Sequence, residues 1–250
     1  LARIESAILA VKRFTADAAH ELRTPITVIR TSAELALRRQ RSAEDYRKTL
    51  SSIEQETMQM SELVEQLLLL ARGDAGEWRF RFDTVFADQV LRSVKNTVAP
   101  LAEKSQVLVS WSIPDDSVII WADEMAIRRL ILLLLDNAIK HTPVDGSISV
   151  RLSRGIRCQI EVEDTGRGIS ADHLPHIFDR FYRANAARTS GGGAGLGLAI
   201  ARTIVQAHEG SIEVFSNTGC GTRFVIQLPL GPAPGWENRQ FRNEVAGTGP

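Results

Sequence analysis

The sequence predicts a protein in two parts, a long α-helical hairpin followed by a domain of mixed helices and strands. Three observations carry this. Apolar residues recur at helical spacing through residues 1–71. That periodicity breaks at Arg72-Gly73-Asp74-Ala75-Gly76-Glu77, which reads as a hinge. Beyond it, short alternating segments of strand type are interleaved with amphipathic ones of helix type.

The 250 residues suffice for one large domain or two modest ones. Thirty basic and thirty acidic residues cancel, so no global field recruits nucleic acid or a charged membrane. Cys158 and Cys220 have neither metal-ligand spacing nor the density of a disulfide scaffold. The longest uninterrupted apolar run, residues 130–135, is too short to span a bilayer, and no signal peptide is expected. The first residue is not Met and a helical pattern is already running, so a longer protein is expected upstream.

Residues 1–40 read as one helix. Ile4, Ile8, Val11 and Ala18 begin an apolar stripe that Leu22, Ile26, Ile29, Ala33 and Leu37 continue. Pro25 cannot donate to the carbonyl of Glu21, so a bend is expected just past His20. Ser42, with Glu44 and Asp45 behind it, reads as the N-cap of a second helix over residues 43–71. Ile53, Met60, Leu63, Leu67 and Leu70 form its coiled-coil-like seam. Two amphipathic helices cannot cover both stripes alone, so a homodimer through a four-helix bundle is expected. In the second part, residues 80–82 suggest a short strand, and Asp83 or Thr84 a cap for a helix reaching Glu103, with Pro100 a possible kink. Strands are expected at 107–113 and 118–121. Asp123 should cap a helix reaching His141. Strands at 147–152 and 157–163 would form a hairpin through Arg154-Gly155. Ser170 is expected to cap a short helix reaching Tyr182. The glycine-rich loop 191–195 feeds a helix stopping at Gly210, and strands at 211–216 and 222–228 close the domain. The domains are therefore expected at 1–72, 81–231 and a tail at 232–250, with a hinge at 73–80.

Five stretches carry possible chemistry, and each alone has a plainer reading. In Ala18-Ala19-His20-Glu21-Leu22-Arg23-Thr24-Pro25, His20 lies about 200° around the helix from Leu22 and so faces water. An exposed imidazole beside a carboxylate can act as a nucleophile, though a lone one is usually a solvated surface residue. Asn137, Lys140 and His141 share a helix face, where an amide oxygen can ligate Mg²⁺ and a lysine can meet phosphate. That face could equally be an ordinary polar one. In Glu163-Asp164-Thr165-Gly166-Arg167-Gly168-Ile169 a strand ends in an acid that could accept from an adenine amino group, or simply turns. Ile177-Phe178-Asp179-Arg180-Phe181-Tyr182-Arg183 reads as core. Gly191-Gly192-Gly193-Ala194-Gly195-Leu196-Gly197-Leu198 is no dinucleotide fingerprint, but it leads into a helix N-terminus that favours phosphate.

Together, in this order and spacing, the five stretches resemble the transmitter module of two-component sensor histidine kinases. They match that family's histidine, asparagine, first glycine, phenylalanine and second glycine boxes over residues 10–230. The back half also resembles the wider ATPase group of gyrase, Hsp90 and MutL. The resemblance implies a dimeric four-helix bundle followed by an α/β sandwich ATP-binding domain. It implies ATP and Mg²⁺ as cofactors. His20 would be the phosphoacceptor, Glu21 the proton acceptor for its other ring nitrogen, and Thr24 an aid to phosphatase action. Asn137 would hold the metal, and Lys140 and His141 would approach the phosphates. Asp164 would read adenine, with Gly166, Gly168, Ile169 and Thr222 around it. Arg183 would begin a lid over ATP that ends at Gly193, with Gly195, Leu196, Gly197 and Leu198 at its base. The partners implied are a response-regulator receiver domain and a second copy of the chain, with no nucleic acid and no membrane contact by this stretch itself. The location implied is the cytoplasmic portion of an inner-membrane sensor. Two positions depart from the family pattern. Leu133 stands where many relatives have asparagine, and Asn185 where an acid often follows Arg183. A catalytically silent, dimeric, nucleotide-sensing adaptor and a gyrase-type ATPase are the rival functions.

Overall fold

The computed structural model describes residues 2–74, 80–184 and 194–231, with side chains from Phe14 onward. It divides into two compact units, one formed by residues 1–77 with 180–196 and the other by residues 78–179 with 197–250. Among the described residues no helix is long and apolar enough to cross a membrane.

The first unit is built on α1 (Ala2–Leu37) and α2 (Ala43–Asp74), which pack against each other as a hairpin. The cap expected at Ser42 is present. Its hydroxyl accepts from the Asp45 amide at 3.1 Å and donates to the Asp45 carboxylate at 2.8 Å, which holds that carboxyl below its ordinary range. The seam on α2 holds as well, with Leu63 and Leu70 buried. The stripe on α1 is narrower than expected. Ala36 is buried, but Ile26 is 50% and Leu37 84% exposed. Two helices crossing at one seam cover a strip on each, and the flanking apolar positions stay open. α1 runs through Pro25 unbroken. α2 continues to Asp74, so Arg72 and Gly73 are helical and the break falls later than their composition suggests.

The second unit is a two-layer α/β sandwich. Its five-stranded sheet has the order β2-β4-β5-β7-β6, with β2 (Leu108–Ser112) parallel to β4 (Ser147–Arg154). The pairs linking β4 to β5 (Cys158–Asp164), β5 to β7 (Thr222–Leu228) and β7 to β6 (Ser211–Ser216) are antiparallel. α3 (Ala87–Lys104), α4 (Glu124–His141) and α5 (Gly197–Ala207) cover the sheet, with α4 in the middle. Its Leu130, Ile131, Leu134 and Leu135 are fully buried, and the helix packs on β5 and between α3 and α5. β1 (Asp83–Phe86) and β3 (Ile119–Ala122) form a separate antiparallel pair.

Three local expectations fail. Residues 80–82 are not a strand; β1 begins at Asp83 instead. Neither Asp83 nor Thr84 caps α3, which starts after Phe86 without any side-chain cap and runs through Pro100. Backbone pairing of β1 with β3 takes up the two residues that would have capped it. Ser170 begins no α-helix; only a single 3-10 turn, Leu174–His176, follows, with Pro175 inside it.

Asp123 caps α4 as expected, its carboxylate accepting from the Ala126 amide at 2.9 Å. It also accepts from the Arg81 amide at 2.8 Å, which ties the incoming chain to the start of α4. His208, just past α5, completes this node. Its Nδ1 lies 2.7 Å from the Ile204 carbonyl, which can only accept, so Nδ1 carries the proton. Nε2 then accepts from the Asp123 amide at 3.0 Å. The rings of Phe80 and Phe82 sit 5.1 and 4.8 Å from the imidazole. Both nitrogens are satisfied only in the neutral form, and burial pushes the His208 pKa below its ordinary value.

This fixes a pH dependence. A histidine with a depressed folded pKa stabilises fully above its unfolded pKa, and that stability is lost as pH falls from there through the folded pKa. Burial lowers His141 too and acts in the same direction, whereas burial raises Asp164 and opposes it. Denaturant unfolding followed from pH 7.5 to 5 should lose stability below about pH 6.5, by at most about 1.4 kcal/mol per pH unit for each such histidine. His208→Gln should be less stable than the parent at pH 7.5 and show a shallower slope.

Candidate functional site

The inward rows of β5 and β7 are apolar until their last cross-strand pair. Cys158, Ile160 and Val162 face the helices from β5, and Leu228, Ile226 and Phe224 face them from β7. The next pair in the same register is Asp164 opposite Thr222. Both are buried, Asp164 to 4% exposure. Burial pushes the Asp164 carboxyl above its ordinary range, while hydrogen bonds from the Gly166 and Thr222 backbone amides pull the other way. The Gly166 bond measures 2.8 Å.

The loop after Asp164 is pressed against its neighbours on two sides. A Cβ on Gly166 would lie 2.5 Å from the His141 carbonyl oxygen, so α4 and this loop meet backbone to backbone. Gly168 has a φ of 67°, and a Cβ there would meet the Asn217 carbonyl. Gly221 has a φ of 79° and comes equally close to the Asp164 carbonyl. The Gly219 amide donates to the Arg167 carbonyl at 2.7 Å, and the Ile169 amide to Ser216 Oγ at 2.8 Å.

On α4, Lys140 Nζ lies 2.6 Å from the Asp136 carboxylate, with both side chains about half exposed. His141 is lowered first by burial, then by the positive charges of Arg167 and Lys140, against a smaller opposing effect of Asp136. The last turn of α4 and the Gly166 to Gly168 loop therefore form one cationic corner beside Asp164. Asn137 is half-buried in the preceding turn. Among the described residues no cluster of His, Cys, Asp or Glu could hold a metal. An amide oxygen is a hard ligand that suits Mg²⁺, which takes few protein ligands and completes its shell with phosphates and water, while the cationic corner suits the phosphates themselves.

Gly197 opens α5, and Leu133 Cδ2 lies 3.5 Å from where its Cβ would be. Leu198 is half-buried in the first turn. Phe178 packs edge-on to Phe224 at 6.4 Å, as the core reading requires.

In the first unit, His20 is exposed on α1 and Glu21 beside it is half-buried. Thr24 Oγ1 is 3.5 Å from the His20 carbonyl. Arg183 is half-buried. The Phe181 amide donates to the Gly195 carbonyl at 3.0 Å, and Gly195 (φ 71°) has no room for a Cβ beside the Phe181 backbone. Leu196 is buried. Gly193, Asn185 and the lid between them lie outside the described residues.

Asp136, Arg167 and Ser216 were not singled out from the sequence. Arg167 had a legible signal, a cation between the two glycines of a tight turn. Ser216 had none, because its hydrogen bonds depend on two loops meeting.

A sandwich whose buried strand-end carboxylate faces a glycine-rich loop and a cationic helix turn defines the class of the gyrase- and Hsp90-like ATPases. Residues 122–232 match the family described as histidine kinase-, DNA gyrase B-, and HSP90-like ATPase. Residues 10–76 match the His Kinase A (phospho-acceptor) domain. The chain is 37% identical over 229 residues to the sensor histidine kinase CusS of Escherichia coli, covering 91% of this chain and 47% of CusS. It is 33% identical over 231 residues to the sensor protein IrlS of Burkholderia pseudomallei, covering 92% of this chain and 49% of IrlS. Full-length ShkA, solved in complex with AMPPNP, superposes with a TM-score of 0.68 at 27% identity, over 89% of this chain and 46% of ShkA. The chain belongs to the two-component sensor histidine kinases and carries their transmitter module. It spans about half the length of the curated relatives it matches.

The loop glycines give a controlled comparison. Gly219 and Gly221 share a left-handed φ, 81° and 79°, but a Cβ on Gly219 would meet nothing within 4 Å. Gly219→Ala should cost only the backbone strain, about 1–2 kcal/mol. Gly221→Ala must in addition displace the Asp164 carbonyl and should be clearly the less stable of the two in denaturant unfolding.

Proposed function

We propose that this chain is the cytoplasmic kinase core of a membrane-anchored sensor, in which His20 is phosphorylated from ATP and passes the group to an aspartate on a response-regulator receiver. The observation that carries this is the buried Asp164 carboxylate, held by two backbone amides at the mouth of a glycine-lined loop, in the same chain as an exposed His20 with the half-buried Glu21 beside it. The nucleotide in ShkA supports the ATP reading.

The adenine amino group would donate to Asp164, within the loop walls of Gly166, Gly168 and Ile169 and beside Thr222. Lys140 would leave Asp136 for the phosphates, joined by His141. The amide of Asn137 would hold Mg²⁺, which when bound supplies charge neutralisation on the phosphates. Arg183 would open the lid, and Gly193, Gly195, Leu196, Gly197 and Leu198 would form its closing base at the N-terminus of α5. The unprotonated ring nitrogen of His20 would attack the γ-phosphorus in line. An N–P bond forms as the bond to the β,γ-bridging oxygen breaks, and ADP leaves. Glu21 would accept the proton of the other ring nitrogen. Thr24 would orient water when the same face removes phosphate from the regulator.

Ile26, Leu35, Leu50, Met58 and Leu68 leave apolar surface exposed on the hairpin, which supports pairing with a second copy in a four-helix bundle. The domain limits proposed are 1–72, 81–231 and 232–250, with the hinge at 73–80. Leu133, apolar where a polar group would approach phosphate, favours the catalytically silent nucleotide-sensing adaptor as the second reading.

Incubation with Mg²⁺ and γ-labelled ATP should place an acid-labile phosphate on the protein, and His20→Gln should abolish it. Label surviving that change rejects His20, and none on the unaltered protein favours the adaptor. Asp164→Asn removes a charge-assisted acceptor. It should weaken binding of a fluorescent ATP analogue by about ten- to one-hundred-fold.

A further inference from the structure

Ser216 ends β6 opposite Thr222, and its hydroxyl is committed three ways. It donates to the Gly221 carbonyl at 2.6 Å and accepts from the Ile169 amide at 2.8 Å. It also lies 3.1 Å from Thr222 Oγ1. A hydroxyl has one proton and two lone pairs. The carbonyl takes the proton, and the amide takes one lone pair. In the remaining contact Thr222 must therefore be the donor. This turns the only Thr222 hydroxyl proton towards Ser216 and leaves its oxygen as an acceptor alone. Asp164, the cross-strand partner of Thr222, is an acceptor as well. The polar end of the inward rows thus offers acceptors and no side-chain donor.

We propose that Ser216 is a positioning residue that sets the base specificity of this site, fixing the Thr222 hydroxyl as an acceptor so that a 6-amino purine is favoured over a 6-oxo purine. The proposal rests on the nucleotide-binding reading above. A 6-amino group donates, as two acceptors require. The 6-oxo oxygen of inosine would face the Asp164 carboxylate with no donor to meet it. Without Ser216 Oγ, the Thr222 hydroxyl can rotate and donate to that oxygen. The position also explains the loop. Ser216 bridges the Ile169 amide to the Gly221 carbonyl, so the same atom that sets the polarity holds together the two walls.

The test compares ATP and ITP by direct binding to the full chain, unaltered and with Ser216→Ala, Ser216→Cys or Ser216→Thr. The unaltered chain should prefer ATP. Ser216→Ala should narrow the ATP-to-ITP affinity ratio by about fivefold or more, chiefly through tighter ITP binding. Ser216→Thr, which keeps the hydroxyl, should restore the parental ratio. Ser216→Cys, nearly isosteric with a weak donor, should narrow the ratio and supplies the measurement if the alanine variant fails to fold. In a Thr222→Val background the Ser216→Ala change should leave the ratio unmoved. A purely structural role would weaken both nucleotides equally, and an unchanged ratio in a folded variant would overturn the proposal alone. Absence of ATP binding by the unaltered chain would instead overturn the nucleotide reading, and the proposal with it.

Discussion

Asp164 is a carboxylate placed where a hydrophobic residue would otherwise sit. Along β5 every second side chain enters the core, and the row ends in a charge that burial disfavours. Such a group persists only if its surroundings supply donors. Here two backbone amides do so, one from the turn that follows and one from the adjacent strand. That demand constrains much else. The chain must turn back on the carboxylate at once, so Gly166 has no side chain. β7 must begin at Thr222 to place its amide there, so the preceding loop must double back through Gly219 and Gly221 in left-handed geometry.

The same constraint explains the backbone contacts around the site. The Gly166 to Gly168 loop touches the His141 carbonyl on one side and the Asn217 carbonyl on the other. α4 and the β6–β7 hairpin are therefore located by one short loop. α4 is in turn fixed at its far end, where Asp123 caps it and receives the Arg81 amide, while the Asp123 amide donates to His208. One helix thus joins the point where the chain enters the second unit to the cationic corner beside Asp164. Its leucine run gives it a rigid, fully buried face between the two.

Most of this was legible from residues. The heptad seam of α2, the Ser42 and Asp123 caps and the bounds of β6 and β7 follow from periodicity and cap chemistry, which are local. The failures share a cause. Asp83 and Thr84 have cap chemistry, but pairing with β3 claims their backbone, and that pairing joins residues nearly forty apart in sequence. Ser170 looks like a cap, yet the helix it would start competes with a proline and with the packing of Phe178 on Phe224. Ile26 fits the stripe on α1, but how wide a strip one neighbouring helix covers is set by tertiary packing. At the site, Asp164 and its glycines were visible as a motif. Ser216 was not, because its partners come from two other segments.

That asymmetry has a physical basis. Residues that touch a ligand must have particular functional groups, and functional groups are written in the sequence. Residues that orient those groups need only a hydroxyl or an amide at the right place, and many sequences provide one. The proton count at Ser216 is a case where composition is uninformative and geometry decides. A serine at the end of an edge strand is ordinary. A serine whose single proton is spent on a carbonyl while an amide and a threonine both donate to it is not. Once the donors are counted, the direction of the Thr222 hydroxyl is no longer free. The hydrogen-bonding character at the polar end of the β5 and β7 rows then follows from a residue two loops away in its bonding.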